Sequence, residues 1–313
     1  MSKNVLMMAF AKGQVSSNSS VSEIKRYIGV GLVNVVAVNP TKAEIKELMG
    51  YEPKEEPQYT GVQEIDGKQV NFARVTFIVK TNPEHNNGIE TTQMMTYFIR
   101  NQYRRGSQTG KYQVIDEYNN SAWATEDTIK NKSQVMYANG PAKLIGDYRP
   151  AYVGEWELAH FIRQYIWVGS AGETSGFDYI NGVWIPKTGD DLKNCESSFS
   201  VDEIQRMFKG DFSSIKSNIN LQPTNEVKVL FGIRENDGKT YQDIYTNYVL
   251  RSNVSNYSKL QERIEEAKNN GGLNGRTYEF CDLKEYKVEA TDFSNATPVA
   301  EDPFGAAPTT SPW

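Results

Sequence analysis

The chain predicts a β-rich α+β fold: a central barrel with peripheral helices and a disordered tail at the C-terminal end. Three observations carry that reading. Two long runs of β-branched and aromatic residues turn on Asp66-Gly67 and Asp237-Gly238, the dipeptides that favour tight hairpins. Helical patterns are few, and the clearest follow the cap residues Thr41 and Ser200. From Thr291 onward apolar periodicity stops, and the text becomes Ser, Asn, Ala, Thr and Pro.

Residues 1–26 form an N-terminal segment. Its apolar run, Val5 to Ala11, is too short for a signal-peptide core or a membrane span, and no other window is long and apolar enough to span. A first β-rich half with basic loops and a closing helix occupies 27–168. Tyr27 to Val38 is β-branched and dotted with glycine, which reads as a long bent strand. Thr41 then caps a helix through Tyr51, with Glu44 completing the capping box and Gly50 ending it. Glu52 to Gln58 holds two prolines and reads as a linker. Tyr59 to Ile65 and Lys68 to Lys80 form the first hairpin. Asn82 to Gly88 is a polar loop and Ile89 to Asn101 a strand. Arg104 to Lys111 is a basic, glycine-bearing loop, and Tyr112 to Tyr118 returns as a strand. Residues 119–152 show little pattern. Gly154 to Trp167 places Trp156, Leu158, Phe161, Ile162 and Tyr165 at helical spacing.

Residues 169–198 are a Gly/Ser/Asp-rich linker or loop, with a small hairpin about Ile180 to Val183. The second half, 199–290, repeats a loose scheme of hairpin plus helix without any exact internal repeat. Ser200 and Glu203 make another capping box, and a shorter helical turn covers Phe212 to Ile219. Glu226 to Arg234 and Lys239 to Arg251 form the second hairpin. Ser258 to Asn270 reads as a charged helix stopped by Gly271-Gly272, and Thr277 to Glu289 as a last strand.

Composition narrows the chemistry. Two cysteines, Cys195 and Cys281, make neither a disulfide framework nor a metal cluster, and a reducing compartment fits them. Only His85 and His160 are present, so no pair of His and Cys has metal-ligand spacing. Gly106 to Lys111 has three residues between its glycines and Tyr112 after its lysine, whereas a phosphate loop needs four, then Ser or Thr. Gly189-Asp190-Asp191 reads as a turn, and no acids pair for acid–base work. The expectation is a soluble, intracellular protein that is not an enzyme and needs no cofactor or metal.

What the sequence does offer is a binding surface. No acid stands between Glu90 and Asp116, a window holding Arg100, Arg104, Arg105 and Lys111 among Tyr97, Phe98, Tyr103 and Tyr112. Arginines reach phosphates while rings stack on bases, the combination that single-strand binding uses. On a strand, Tyr97 and Ile99 face one way, Phe98 and Arg100 the other, so some of these rings belong to the core. A basic hairpin tip over core aromatics explains the window equally well. A second acid-free window, Asp127 to Asp147, holds Lys130, Lys132 and Lys143, with Trp123 and Tyr137 near it. Arg149, between tyrosines and before a proline, reads as a guanidinium stacked inside the fold. The hairpin around Asp237 to Gln242 is similar to those of OB-like barrels, which bind strands across a curved sheet.

Net charge is −5, and residues 279–313 supply all of it: seven acids against Lys284 and Lys287. A neutral body with an acidic tail at 291–313 is an organisation that single-strand binders use, although a frayed terminus has the same look. Several phrases extend the likeness. Tyr27-Ile-Gly-Val-Gly, Ala37-Val38-Asn39-Pro40, Gly140-Pro141-Ala142 and the run Tyr148 to Glu155 resemble the single-stranded DNA-binding proteins of crAss-like tailed phages that infect Bacteroides. The likeness covers most of 25–290. Asp302, Pro303 and Phe304 are similar to the partner-docking tails of bacterial single-strand binders, but this chain continues to Trp313 and lacks their terminal acidic run.

The resemblance implies an OB-like barrel that binds single-stranded DNA non-specifically in phage replication or recombination, in the cytoplasm of the infected bacterial host cell. Tyr97, Tyr103, Tyr112 and Trp123 are the expected stacking residues. Arg100, Arg104, Arg105, Lys111, Lys130 and Lys132 are the expected phosphate contacts. Replication proteins are the expected partners of the tail, and no membrane is involved. The rival expectation is a virion component, a capsid decoration or tail protein, which a Tyr-rich β body without an active site fits as well.

Overall fold

The computed structural model describes residues 27, 29–86, 88–118, 120–133, 135, 144, 147–166, 177–180, 183–186, 188, 199–220, 224–236 and 239–252, with isolated positions between 262 and 277. Residues 1–26, the tail with Asp302, Pro303 and Phe304, most of the expected 258–270 helix and the 277–289 strand lie outside them. So do Tyr137, Lys143, the Gly140-Pro141-Ala142 phrase, the Gly189-Asp190-Asp191 turn and both cysteines.

The frame is one antiparallel sheet fed by both halves of the chain. Strands β1 (Gly29–Val38), β2 (Thr60–Ile65), β3 (Lys68–Thr81) and β4 (Thr92–Tyr103) come from the first half. Past the shorter elements described below, β11 (Val227–Asn236) and β12 (Lys239–Arg251) come from the second. Spatial order is β12-β11-β1-β3-β4, with the two-residue β8 (Tyr152–Val153) beside the end of β4 and β2 beside β3. Because β11 returns from the second half to lie beside β1, β11-β1-β3-β4 has the spatial order of a Greek key, with α1 and β2 inserted between β1 and β3 in the chain.

The first strand is the hinge of this arrangement. Gly29 to Val33 pair with β11, while Val33 to Val38 pair with β3, and a bulge between Val35 and Ala37 bends the strand. The bend follows the glycine-dotted, β-branched text of 27–38. One edge of β3 is shared in turn, by β2 along Lys68 to Ala73 and by β1 along Phe77 to Thr81. Asn39 closes the gap between them. Its N–H donates to the Thr76 carbonyl and its Oδ1 accepts from the Thr76 N–H, both at 2.7 Å. That fit needs a left-handed backbone (φ 47°), which asparagine tolerates. Asp66 and Gly67 also have positive φ, 49° and 73°, so the first hairpin turns on the expected dipeptide.

The sheet curls into a half-barrel. Three strands separate β4 from β12 in the order, yet the Tyr97 hydroxyl donates to the Thr246 carbonyl at 3.2 Å. Four antiparallel steps leave β4 and β12 running parallel. Val33, Val35, Val75, Phe77, Met95, Tyr97 and Ile99 line the inside and are buried. Burying each such side chain contributes roughly 1.5–3 kcal/mol.

One expectation is corrected here: the main helix is not peripheral. In α3 (Glu155–Ile166) every residue from Leu158 to Tyr165 is buried, so the helix fills the half-barrel. Phe161 packs 4.6 Å from Phe77 and 5.4 Å from Tyr97, centroid to centroid. Helical spacing marked its apolar side. The polar side is buried too because β12 meets it: His160 Nε2 lies 3.2 Å from the Val249 carbonyl, and Gln164 Oε1 accepts from the Arg251 N–H. Gly154 starts the helix with φ 82°, and a Cβ there would sit 1.7 Å from the Phe98 carbonyl oxygen. Further helices among the described residues are α1 (Lys42–Met49), α2 (Glu126–Lys130), α4 (Val201–Phe208) and α5 (Ser213–Asn220). Both expected capping boxes are present, Thr41 with Glu44 and Ser200 with Glu203.

The patternless stretch 119–152 hides a second sheet. Strands β5 (Tyr112–Asp116), β6 (Ser121–Ala124) and β7 (Tyr148–Pro150) stand in the order β6-β5-β7. Two backbone hydrogen bonds link this sheet to Arg104 at the end of β4, Arg104 N–H to Ala151 O and Gln113 N–H to Arg104 O, and Ala151 N–H donates in turn to Gln113 O. Two further hairpins, β9 (Phe177–Ile180) with β10 (Val183–Pro186) and β13 (Gly272–Leu273) with β14 (Arg276–Thr277), stand as separate small sheets. The first of them falls where a hairpin was expected within 169–198.

Candidate nucleic-acid interface

Cross-strand register places the outer face of β3 and β4. Phe72 stands opposite Arg100, Arg74 opposite Phe98, Thr76 opposite Thr96 and Ile78 opposite Met94. Alternation sends Ala73, Val75, Tyr97 and Ile99 inward, so these pairs point out. Phenylalanine and arginine therefore alternate diagonally at one end of the face. Phe72 and Phe98 lie 6.1 Å apart at 51°. Phe72 owes its posture to Gly61, its partner on β2: a Cβ there would sit 2.8 Å from the ring, so a larger residue would lift it.

The other end of the face is covered. The Tyr51 hydroxyl of the α1–β2 segment lies 3.9 Å from the Met94 sulfur. Arg74 is 7% exposed, held over the Tyr59 ring at 5.3 Å and donating to the Gln58 carbonyl. Burial lowers its pKa from the ordinary arginine value. What stays open is Phe98, Arg100 and the continuation of β4 onto the small sheet.

Each expected site residue now has a place. Tyr97 is 3% exposed and fully part of the core, and burial raises its phenol well above the usual range. Its ring has no face for a base, so it leaves the stacking set, and Phe98 beside it takes the outward position. Arg100 has no carboxylate partner among the described residues, and its Nε is buried without a hydrogen bond. Arg104 turns the other way, into an ion pair with Glu157 of α3, which withdraws it from the phosphate set. Arg105 is exposed. Its Nε donates to the Gly110 carbonyl at 2.8 Å and its guanidinium lies 5.4 Å from the Tyr112 ring centre. Lys111 is exposed at the same turn. Tyr103 is half exposed, 5.1 Å from Tyr152, and burial followed by that neighbour raises its pKa. Trp123 is exposed on β6 and reaches toward the Gly106 turn.

The lysines of the second window carry their own partners, and Lys130 and its partner Glu126 stand near Tyr112 and Arg105. Lys130 bonds Glu126 one helical turn back at 2.8 Å, and that contact raises its pKa. Lys132 lies 5.8 Å from the Tyr148 ring. Arg149 is the internal guanidinium the sequence indicated. It grips the buried Glu155 through both nitrogens and donates to the Phe199 carbonyl at 2.7 Å. The Gly106–Lys111 segment closes on itself as a hairpin turn, Gly106 N–H to Lys111 O at 2.8 Å, and makes no phosphate loop.

Three exposed aromatic rings, Phe98, Tyr103 and Trp123, thus lie on β4 or the sheet it feeds, together with Arg100, Arg105 and Lys111. Phe72 and Phe98 are the outward-facing rings that sequence reasoning left out of the candidate set. The signal was the alternation itself: with Tyr97 inward, Phe98 is outward. His85 pairs with Glu226 at 2.7 Å and His160 stacks on Trp156, so neither faces this group. Among the described residues, no set of three His, Cys, Asp or Glu gathers to hold a metal, and no helix is long and apolar enough to cross a membrane. Comparison with protein-family models, curated proteins and solved structures finds no match for the chain.

Proposed function

We propose that this protein binds single-stranded DNA without sequence preference, along the open end of the β3–β4 face and the Arg105–Lys111 turn. The observation that carries the reading is the Glu90–Asp116 stretch, without an acid in sequence, where the exposed rings Phe98 and Tyr103 stand among Arg100 and Arg105. Rings take bases by stacking, and Arg100, Arg105 and Lys111 take phosphates. The connectivity supports it as well. Along the path β12-β11-β1-β3-β4 the strand order of the seven-stranded sheet resembles that of OB-like barrels, which bind oligonucleotides across their second and third strands, the positions that β3 and β4 would take. The crAss-like phrases support a place in phage DNA replication or recombination, with the acidic tail as a docking point for replication proteins.

The test is titration of the protein with poly-dT, followed by tryptophan fluorescence at several salt concentrations and against duplex of equal length. Quenching by the single strand that weakens steeply with salt is the expected result. No response at low salt refutes the reading, and stable oligomers with no DNA affinity would favour the virion component instead.

A further inference from the structure

We infer that the bound strand crosses from β4 over β3 onto β2, with Phe72 as a second stacking ring and Gly61 as the residue that lets this ring present its face. The inference rests on the strand-binding reading above. Phe72 stands between Gly61 on β2 and Arg100 on β4, so the three residues form one row across the sheet. Phe98 adjoins the row diagonally, 6.1 Å from Phe72 between ring centres. Both rings and the arginine share the outer face, and the surface runs on from one strand to the next. By the same alternation the outward side chains of β2, β3 and β4 include Lys68, Arg74 and Arg100 and no carboxylate, since Glu64 of β2 takes the other face. Glu44 and Glu56 lie by Tyr59 at the covered end, where they accept from the N–H groups of Thr41 and Lys42.

Gly61 matters for the side chain it lacks. The Phe72 ring leans across to β2, and a Cβ on residue 61 would lie 2.8 Å from its Cζ and 2.9 Å from its Cε1. The far edge of the ring thus fills the space of the missing side chain. A ring laid across the sheet turns a face to solvent, and a base stacks on a face. A methyl group at 61 would force the ring upright, toward Phe98 and Arg100. What has to move is the far end of a flexible side chain and no backbone, so the fold loses little while the surface changes. Gly61 therefore acts on the ligand through Phe72, as a positioning residue.

The test compares wild type, Gly61→Ala, Phe72→Leu and the double variant, each titrated with labelled dT of about fifteen nucleotides at several salt concentrations. Leucine keeps an apolar side chain at 72 but has no ring face. Phe72→Leu should bind about 5- to 30-fold more weakly than wild type, and Gly61→Ala about 3- to 10-fold. The double variant should bind no more weakly than Phe72→Leu alone, because Gly61 reaches the ligand only through the ring. Salt slopes should be equal throughout, as no charge changes, and Gly61→Ala should keep the wild-type melting midpoint. A merely structural glycine would shift that midpoint and leave the affinity of the folded chain unaltered. Wild-type affinity in either single variant overturns the inference. So do losses that multiply in the double variant, or a lowered or lost melting transition in Gly61→Ala. A wild-type chain that binds no dT removes the underlying reading and this inference together.

Discussion

Truncating one exposed ring separates stacking from charge. Phe98 is 43% exposed, stands on the outer face of β4 and touches Phe72 on β3. A base stacked on an aromatic side chain is worth roughly 1–3 kcal/mol, which corresponds to about 5- to 150-fold in affinity. Phe98 shares its surface with Phe72, which remains after truncation, so Phe98→Ala should fall in the lower part of that range, about 5- to 30-fold. Stability should change little, by about 1 kcal/mol or less, because the ring lies outside the core and loses one aromatic contact. Fluorescence anisotropy of labelled dT at several salt concentrations reads both effects. The affinity should drop by the same factor at every salt, leaving the slope unchanged, because no charge is removed. Affinity equal to wild type would refute the placement of the strand on this face. A loss that appears only together with a lowered melting midpoint would refute the claim that the ring acts on the ligand.

Other perturbations test the frame. Tyr97→Phe removes the hydrogen bond to the Thr246 carbonyl and should cost about 0.5–1.5 kcal/mol in urea denaturation with no change in dT affinity. Gly154→Ala forces a Cβ onto the Phe98 carbonyl at a positive φ, and should destabilise by about 3 kcal/mol or more, read as a lost or shifted denaturation midpoint. Lys228 is buried on β11, and burial pushes its pKa down from 10.5 to about 8. The unfolded chain holds that proton up to higher pH, so this residue's penalty is full below about 8 and fades as pH approaches 10.5. Denaturation midpoints should therefore rise across that window, and Lys228→Met should flatten the rise.

Local chemistry was legible in the sequence where local contacts decide the structure. The two hairpins, both capping boxes and the α3 helix stand close to where turn dipeptides, caps and spacing put them, because each depends on neighbours a few residues away. The site was only half legible for the opposite reason. Alternation separated Tyr97 from Phe98, but which of them faces inward is set by the curl of the sheet around α3. Arg100, Arg104 and Arg105 are chemically alike in sequence. Arg104 is withdrawn by Glu157, 53 residues away, and nothing local announces that pairing. Of the small sheet, β5 falls within the expected strand Tyr112 to Tyr118, while β6 and β7 stayed hidden because they are short and β7 reaches β5 across an unpatterned stretch.

The shared strand β1 also dictates when the molecule can be finished. Its Val33 faces Thr81 on one side and Val227 on the other. The first partner emerges from a ribosome soon after β1 itself. The second follows about 200 residues after β1, which at a synthesis rate of about 5–20 residues per second is a wait of roughly 10–40 s. Throughout that interval the nascent chain presents the Gly29–Val33 edge with no strand beside it, an edge of the kind that invites pairing with other chains. Pairing at such sequence separation is also slow once the whole chain is available, since loop closure precedes any reward from contacts. Refolding from denaturant should accordingly be slow and sensitive to protein concentration, and the vulnerable period belongs to synthesis rather than to the finished protein.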